Sequence, residues 1–336
     1  MHPDTAPLPG RPAHFPPDPG ESLPIRPGSG GKLVNRPGVQ CPLVTARGWL
    51  LFALLSVLWG IPYLFIKIAV ETLSPGMVVW VRVALGAVIL LPIVLARGDI
   101  KRLSKTDWSW IAIFAVVEIA LPFGALTYAE IRLSSSTTAI LIAAVPIVAA
   151  VIGWRIGIDD RVTKVRAIGL AVGIVGVVTL VGIDIRGEDL ISVAALGITV
   201  IGYSIGPIIV ATKLSKAPAL TVITMALLIN ALLYAPLAWF TRPTLTIPAE
   251  AWWSVVALGV LCTALAFITF FALIAEVGPS RTTVITFIAP AVALVLGVAV
   301  LSEPITWGIV VGFPLVIAGS YLATRRAPAI EAEPHP

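Results

Sequence analysis

Lys67, Arg82 and Glu118 stand inside long apolar runs, and Glu303 sits at the joint between two such runs. An ionisable group in apolar text is where proton transfer or recognition of a charged solute is to be sought. Glu118 lies about ten residues into its run, roughly 15 Å deep at about 1.5 Å per residue, near the midplane of a bilayer. A charged carboxylate there costs at least about 2.5 kcal/mol on insertion scales, so it faces protein or water, takes a partner, or stays protonated. One reading makes it a carboxylate that titrates protons or binds a substrate amine. The other makes it a neutral or ion-paired side chain that holds helices together. Pro122, one turn later, removes a backbone hydrogen bond and is expected to kink the helix.

The other charges admit two readings as well. Lys67 is a few residues from the end of its run, so its stem can lie along lipid while the ammonium reaches the headgroups. Arg82, about five residues into the next run from the same side, has less freedom to do so. It either pairs with Glu130 or attracts an anionic group of a substrate. Glu303 precedes Pro304 and the first turn of the last span, where a carboxylate accepts from free backbone N–H groups and meets the positive end of the helix dipole. That makes it a cap; the alternative is a gating or ion site.

Composition sets the framework that carries these residues. The chain is 58% apolar and 12% charged over 336 residues, too little polar surface for a soluble protein of that size, and is read as an all-α polytopic membrane protein. Short alternating segments of the kind that build a barrel are missing from the text. His2, His14 and His335 all lie in the polar ends, which argues against a histidine metal site or histidine acid-base catalysis in the membrane. Cys41 and Cys262 are too differently placed for a disulfide framework. No cofactor, metal or nucleic-acid partner is expected, and the protein is not read as an enzyme.

Residues 1–46 are rich in Pro, Gly and Arg and are expected to form a disordered tail. The first apolar run comes too late, and lacks the cleavage site, for a secretory signal. Ten spans come after it, near 49–70, 77–96, 109–129, 136–154, 166–183, 191–212, 220–240, 252–274, 282–301 and 305–324. Lys and Arg gather in the loops on one side, which places both termini in the cytoplasm. Pro146, Gly153 and Asp159 recur as Pro290, Gly297 and Glu303; after a one-residue deletion, Gly169 and Gly176 recur as Gly312 and Gly319. This is an internal duplication. Five spans per copy is odd, so the second copy, residues 190–325, enters inverted relative to the first, residues 48–185, and a binding site is expected near the midplane between them. Residues 326–336 form a second cytoplasmic tail. Gly169, Gly173 and Gly176 mark the fifth span as close-packing scaffold, and Asn230 is expected to hydrogen-bond across helices.

Several stretches resemble the EamA family of the drug/metabolite transporter superfamily. They are Leu58-Trp59-Gly60 with Lys67, Ser74-Pro75 followed by Arg82, Pro146, Val277-Gly278-Pro279, Pro290, Leu301-Ser302-Glu303-Pro304, Gly312 and Gly319. The likeness spans about residues 48–325. It implies a ten-helix inverted-repeat carrier, usually an exporter, with a central cavity lined mainly by helices 1, 3, 4, 6, 8 and 9. Asp159-Asp160-Arg161 departs from the family's Glu-Arg pair, so no role is carried onto that loop. On the implied cavity helices, Trp59, Tyr63, Tyr128, Tyr203, Phe270, Thr282 and Thr286 suit a ligand with an apolar part and an amine or carboxylate, or else serve packing and lipid contact.

The reading is a multi-pass carrier of the cell inner membrane. It moves a small organic metabolite, an amino acid-like compound or a drug, by alternating access and outward. Without a nucleotide-binding motif, an ion or solute gradient must drive it, and Glu118 is the candidate for proton coupling. The substrate-binding candidates are Trp59, Tyr63, Glu118, Tyr128, Tyr203, Phe270 and Thr286. Structural or gating roles go to Lys67, Arg82, Pro122, Pro146, Pro290 and Glu303. The alternatives are an uncoupled facilitator, then a channel or an intramembrane enzyme. The partners are the small-molecule substrate and the bilayer, and the sequence leaves the oligomeric state open, monomer and homodimer included.

Overall fold

The computed structural model describes residues 45–157, 163–184, 189–244 and 246–324, and regular secondary structure among them is helical throughout. The helices are α1 (Ala46–Val70), α2 (Pro75–Arg97), α3 (Lys105–Ala129), α4 (Ser135–Arg155), α5 (Lys164–Ile183), α6 (Leu190–Lys213), α7 (Ala219–Phe240), α8 (Ala249–Val277), α9 (Ile285–Leu301) and α10 (Trp307–Thr324). All but α9 have at least 18 residues and the hydropathy to cross a bilayer. At 17 residues, α9 reaches about 25 Å. It begins three residues later than its hydropathy indicates: Gly278, at φ 84°, ends α8, and a separate four-residue helix, Pro279–Thr282, comes first. The tail positions 1–44 and 325–336, and the Asp159-Asp160-Arg161 joint, lie outside the described residues.

Polar caps explain where hydropathy misplaces an end. α3 starts at Lys105, four residues before its apolar run, because Ser104 and Asp107 form a reciprocal capping box. Ser74 and Ser134 cap α2 and α4 by accepting from Met77 and Thr137 N–H.

The packing is that of two inverted repeats. Exchanging each helix of the first five with its counterpart five later carries the main contacts onto one another: α5 packs on α10 and α2 on α7, while α3 on α6 answers α8 on α1, and α4 on α6 answers α9 on α1. α3 and α8 each contain a six-residue π-helical turn, Ala115–Ala120 and Val260–Leu265, at matching places. Such a turn inserts a residue into the helix and re-aims the remainder. α1 is interrupted at Ile61 before Pro62, and α4 at Ala143–Ala144 before Pro146. The α4 break is satisfied from the second repeat: Ser320 Oγ donates to Ala143 O at 2.7 Å, and Ser204 Oγ approaches Val145 O at 3.2 Å. Hydroxyls that fill an interrupted ladder let a broken helix exist at membrane depth. Pro290 stands in the interior of α9 and is buried.

Candidate functional site

Glu118 belongs to the π-helical turn of α3, which ends two residues before Pro122, and Pro122 lies in the first turn of the next α-helical stretch. The second repeat holds this turn at both ends. Asn230 Nδ2 of α7 donates to Ala115 O at 2.9 Å, and Tyr234 OH, one turn on, donates to Ala120 O at 2.7 Å. Thr199 of α6 donates to Pro122 O at 3.2 Å. Gly202 and Gly206 of α6 form the seat: a Cβ on Gly202 would strike Val117 O and Pro122, and one on Gly206 would strike the Glu118 carboxyl group. Glu118 Oε2 is sealed from solvent with no hydrogen-bond partner among the described residues. Replacing Tyr234 by Phe leaves Ala120 O without its donor, and is expected to cost about 1–2 kcal/mol in thermal or denaturant unfolding of the purified protein.

Arg82 of α2 lies across from this turn, only 8% exposed. Its Nε donates to Thr263 Oγ1 at 3.0 Å, and its guanidinium carbon stands 3.9 Å from the centroid of the Phe123 ring. Thr263 belongs to the π-helical turn of α8 and donates in turn to Leu258 O at 2.8 Å. The contacts are pseudosymmetric in kind: α7 grips the α3 turn and α2 grips the α8 turn. The ionisable neighbours of Arg82 are Tyr203, Cys262, Tyr63 and Glu130, and Tyr203 also neighbours Glu118. Arg82 makes no ion pair with Glu130 or any other carboxylate among the described residues, contrary to the pairing expected from their positions. Tyr63 and Tyr203 are thus brought together with Arg82, Glu118 and Phe123.

The bundle end opposite the termini is tied both within the first repeat and between repeats. Lys67 does not run along lipid; its Nζ turns inward and donates to Glu130 O and Leu133 O at 2.8 and 2.9 Å. A lysine beside carbonyls that α3 can no longer bond internally is better satisfied there than in the headgroups. Glu303 caps a helix, though α4 of the other repeat and not α10: it accepts from Ser135 N at 2.7 Å and from Ser136 N at 3.0 Å, and Ser136 Oγ donates to it as well. Ser302, at φ 55°, turns the chain so that the carboxylate points back across the interface. Gly297 leaves the room, since a Cβ there would strike Glu303, Ser135 and Ser136. Arg132 pairs with Asp189 at 2.9 Å, and the Ser74 and Thr241 hydroxyls lie 2.7 Å apart. Glu130 is fully buried, and neither carboxyl oxygen has a hydrogen-bond partner among the described residues.

The remaining candidates fall elsewhere. Trp59 lies tilted against Phe270, 5.0 Å between centroids, in an aromatic group with Phe267 and Phe271 nearer the terminal end. Tyr128 is 42% exposed and stands apart from the buried group. Thr286 Oγ1 donates to Thr283 O at 2.7 Å, and the buried Thr282 donates to Gly278 O at 2.9 Å, so both hydroxyl protons are engaged locally. Phe123, Thr263, Tyr234 and Gly206 were not singled out in the sequence; the Gly202-x-x-x-Gly206 spacing was the signal available for the seat. A groove of about 340 Å³ between α4, α5 and α6 is lined only by aliphatic residues and glycine, Leu141, Ile147, Ile174 and Leu196 among them. It offers no polar group to orient a solute.

The model of the EamA-like transporter family matches this chain twice, over residues 46–182 and 190–325. An uncharacterized transporter of Archaeoglobus fulgidus is 23% identical over 280 residues, covering 83% of this chain and 99% of its own length. The uncharacterized transporter YvbV of Bacillus subtilis is 24% identical over 302 residues, covering 86% and 95%. The uncharacterized inner membrane transporter YedA of Escherichia coli is 31% identical over 131 residues, 39% of this chain and 42% of its own. A solved crystal structure superposes with a TM-score of 0.59 at 17% identity, covering 82% of this chain and 96% of that one.

Proposed function

Because the chain belongs to the EamA-like transporter family, we propose that it is a secondary carrier that exports a small organic metabolite by alternating access, with proton coupling at Glu118. The observation that carries this reading is the state of Glu118. It has one sealed, unpartnered oxygen on a π-helical turn of the first repeat, seated on Gly206 and pinned by Asn230 and Tyr234 of the second. A carboxyl group on a turn that the other repeat holds, with no counter-ion among the described residues, is placed to exchange a proton or a cationic solute group as the repeats move. Arg82, Tyr63, Tyr203 and Phe123 form the solute-facing group beside it. In the conformation described, the ties of Glu303, Arg132 and Ser74 hold the end opposite the termini together. Breaking them is the step that opens that side.

The positive loops flank the terminal end of the bundle, which supports an inner-membrane location with cytoplasmic termini. An overexpressing strain screened against toxic amino acids, their analogues and drugs identifies the cargo by resistance. Purified protein in proteoliposomes should then show saturable flux of that cargo and accumulate it against its gradient. Accumulation that survives a protonophore would leave an uncoupled facilitator, and single-channel currents would replace the carrier reading with a channel.

A further inference from the structure

Resting on the carrier reading, we propose that Arg82 is the anion-binding group of the central site and that the cargo carries a carboxylate on an apolar, aromatic-compatible body. Burying a guanidinium is costly unless something compensates it. Here no carboxylate among the described residues pairs with it within 4 Å, and Glu130 acts on it only at longer range. The Nε bond to Thr263 and the Phe123 ring against one face fix the plane of the group. Its two terminal amino groups have no partner among the described residues and are not sealed from solvent; the same holds for the Tyr63 and Tyr203 hydroxyls. A planar fork held from behind, with both outer N–H pairs free, fits a carboxylate bidentately. The charge count favours a monoanion over a phosphate-like dianion, because Lys67 is engaged by two backbone carbonyls. Phe123, Tyr63 and Tyr203 supply walls for an apolar body, and Glu118, which also neighbours Tyr203, remains for a proton or an ammonium.

The test measures binding of phenylacetate, phenylacetamide, phenethylamine and phenylphosphonate to the purified full chain in nanodiscs by calorimetry. Phenylacetate should bind at least about tenfold tighter than phenylacetamide. Arg82→Gln should erase that ratio, and Arg82→Lys, which keeps the charge and loses the fork, should give an intermediate one. If Arg82→Gln does not fold, Thr263→Val is the second variant: Thr263 positions Arg82, so its loss should shrink the acid-to-amide ratio with the charge intact. Equal binding of acid and amide, tighter binding of the phosphonate or the amine, no binding of the acid at millimolar concentration, or an unchanged ratio in a folded Arg82→Gln protein overturns the proposal. Failure of the carrier reading looks different: wild-type vesicles show no saturable flux of any screened cargo, whatever the probes do.

Discussion

Glu118→Gln protein, reconstituted in vesicles, is expected to lose the pH dependence of export and at least about tenfold in gradient-driven rate, a change of ~1.4 kcal/mol or more in the coupled step. Glutamine keeps the volume and one carbonyl oxygen, so the seat on Gly206 and the bonds at Ala115 and Ala120 should persist. What it removes is the exchangeable proton. In an exchange of outgoing solute for an incoming proton, acidifying the side to which the solute leaves should accelerate wild-type export. The variant should run at one rate across the same series. A Glu118→Gln protein with the wild-type slope against pH would assign this carboxyl group to helix packing alone and move coupling elsewhere, with the buried, unpartnered Glu130 next in line.

The largest structural effect is expected where α5 meets α10. A Cβ on Gly319 would strike the backbone of Gly173 and Gly169, and one on Gly176 would strike Val316 N, Leu315 and Gly312 O. No side-chain rotamer relieves contact with a main chain, so the two helices must separate along their length. Gly319→Leu is expected to destabilise the protein by about 3 kcal/mol or more, read as a lower thermal midpoint and loss of the monodisperse species in detergent. Gly182→Leu on α5, where nothing lies within 4 Å of the added carbon, is the control and should leave both unchanged. Equal behaviour of the two variants would mean that α5 and α10 do not pack as described.

Ten spans, their inversion and the glycine-lined fifth helix were legible in the linear text, because hydropathy sums along one helix and a duplicated chain repeats its prolines and glycines in order, whereas the fifth helix's partner, the tenth, came from the packing. Also legible was the position of Glu118 near the middle of a helix long and apolar enough to cross a membrane. Its setting was not: the π-helical turn depends on Asn230 and Tyr234, more than a hundred positions away, accepting the misalignment of α3. Lys67 read as a headgroup-seeking side chain because a sequence shows depth along a helix and not the rotation of its faces. Glu303 was recognisable as a cap, since a carboxylate beside a turn has few other uses, yet which helix it caps was decided by the φ of Ser302 and the space left by Gly297. Residue type and spacing determined which groups had to be satisfied inside the membrane. The fold alone decided which repeat satisfies them, because a hydrogen bond needs two atoms about 3 Å apart and only the packing of ten helices brings such distant positions that close.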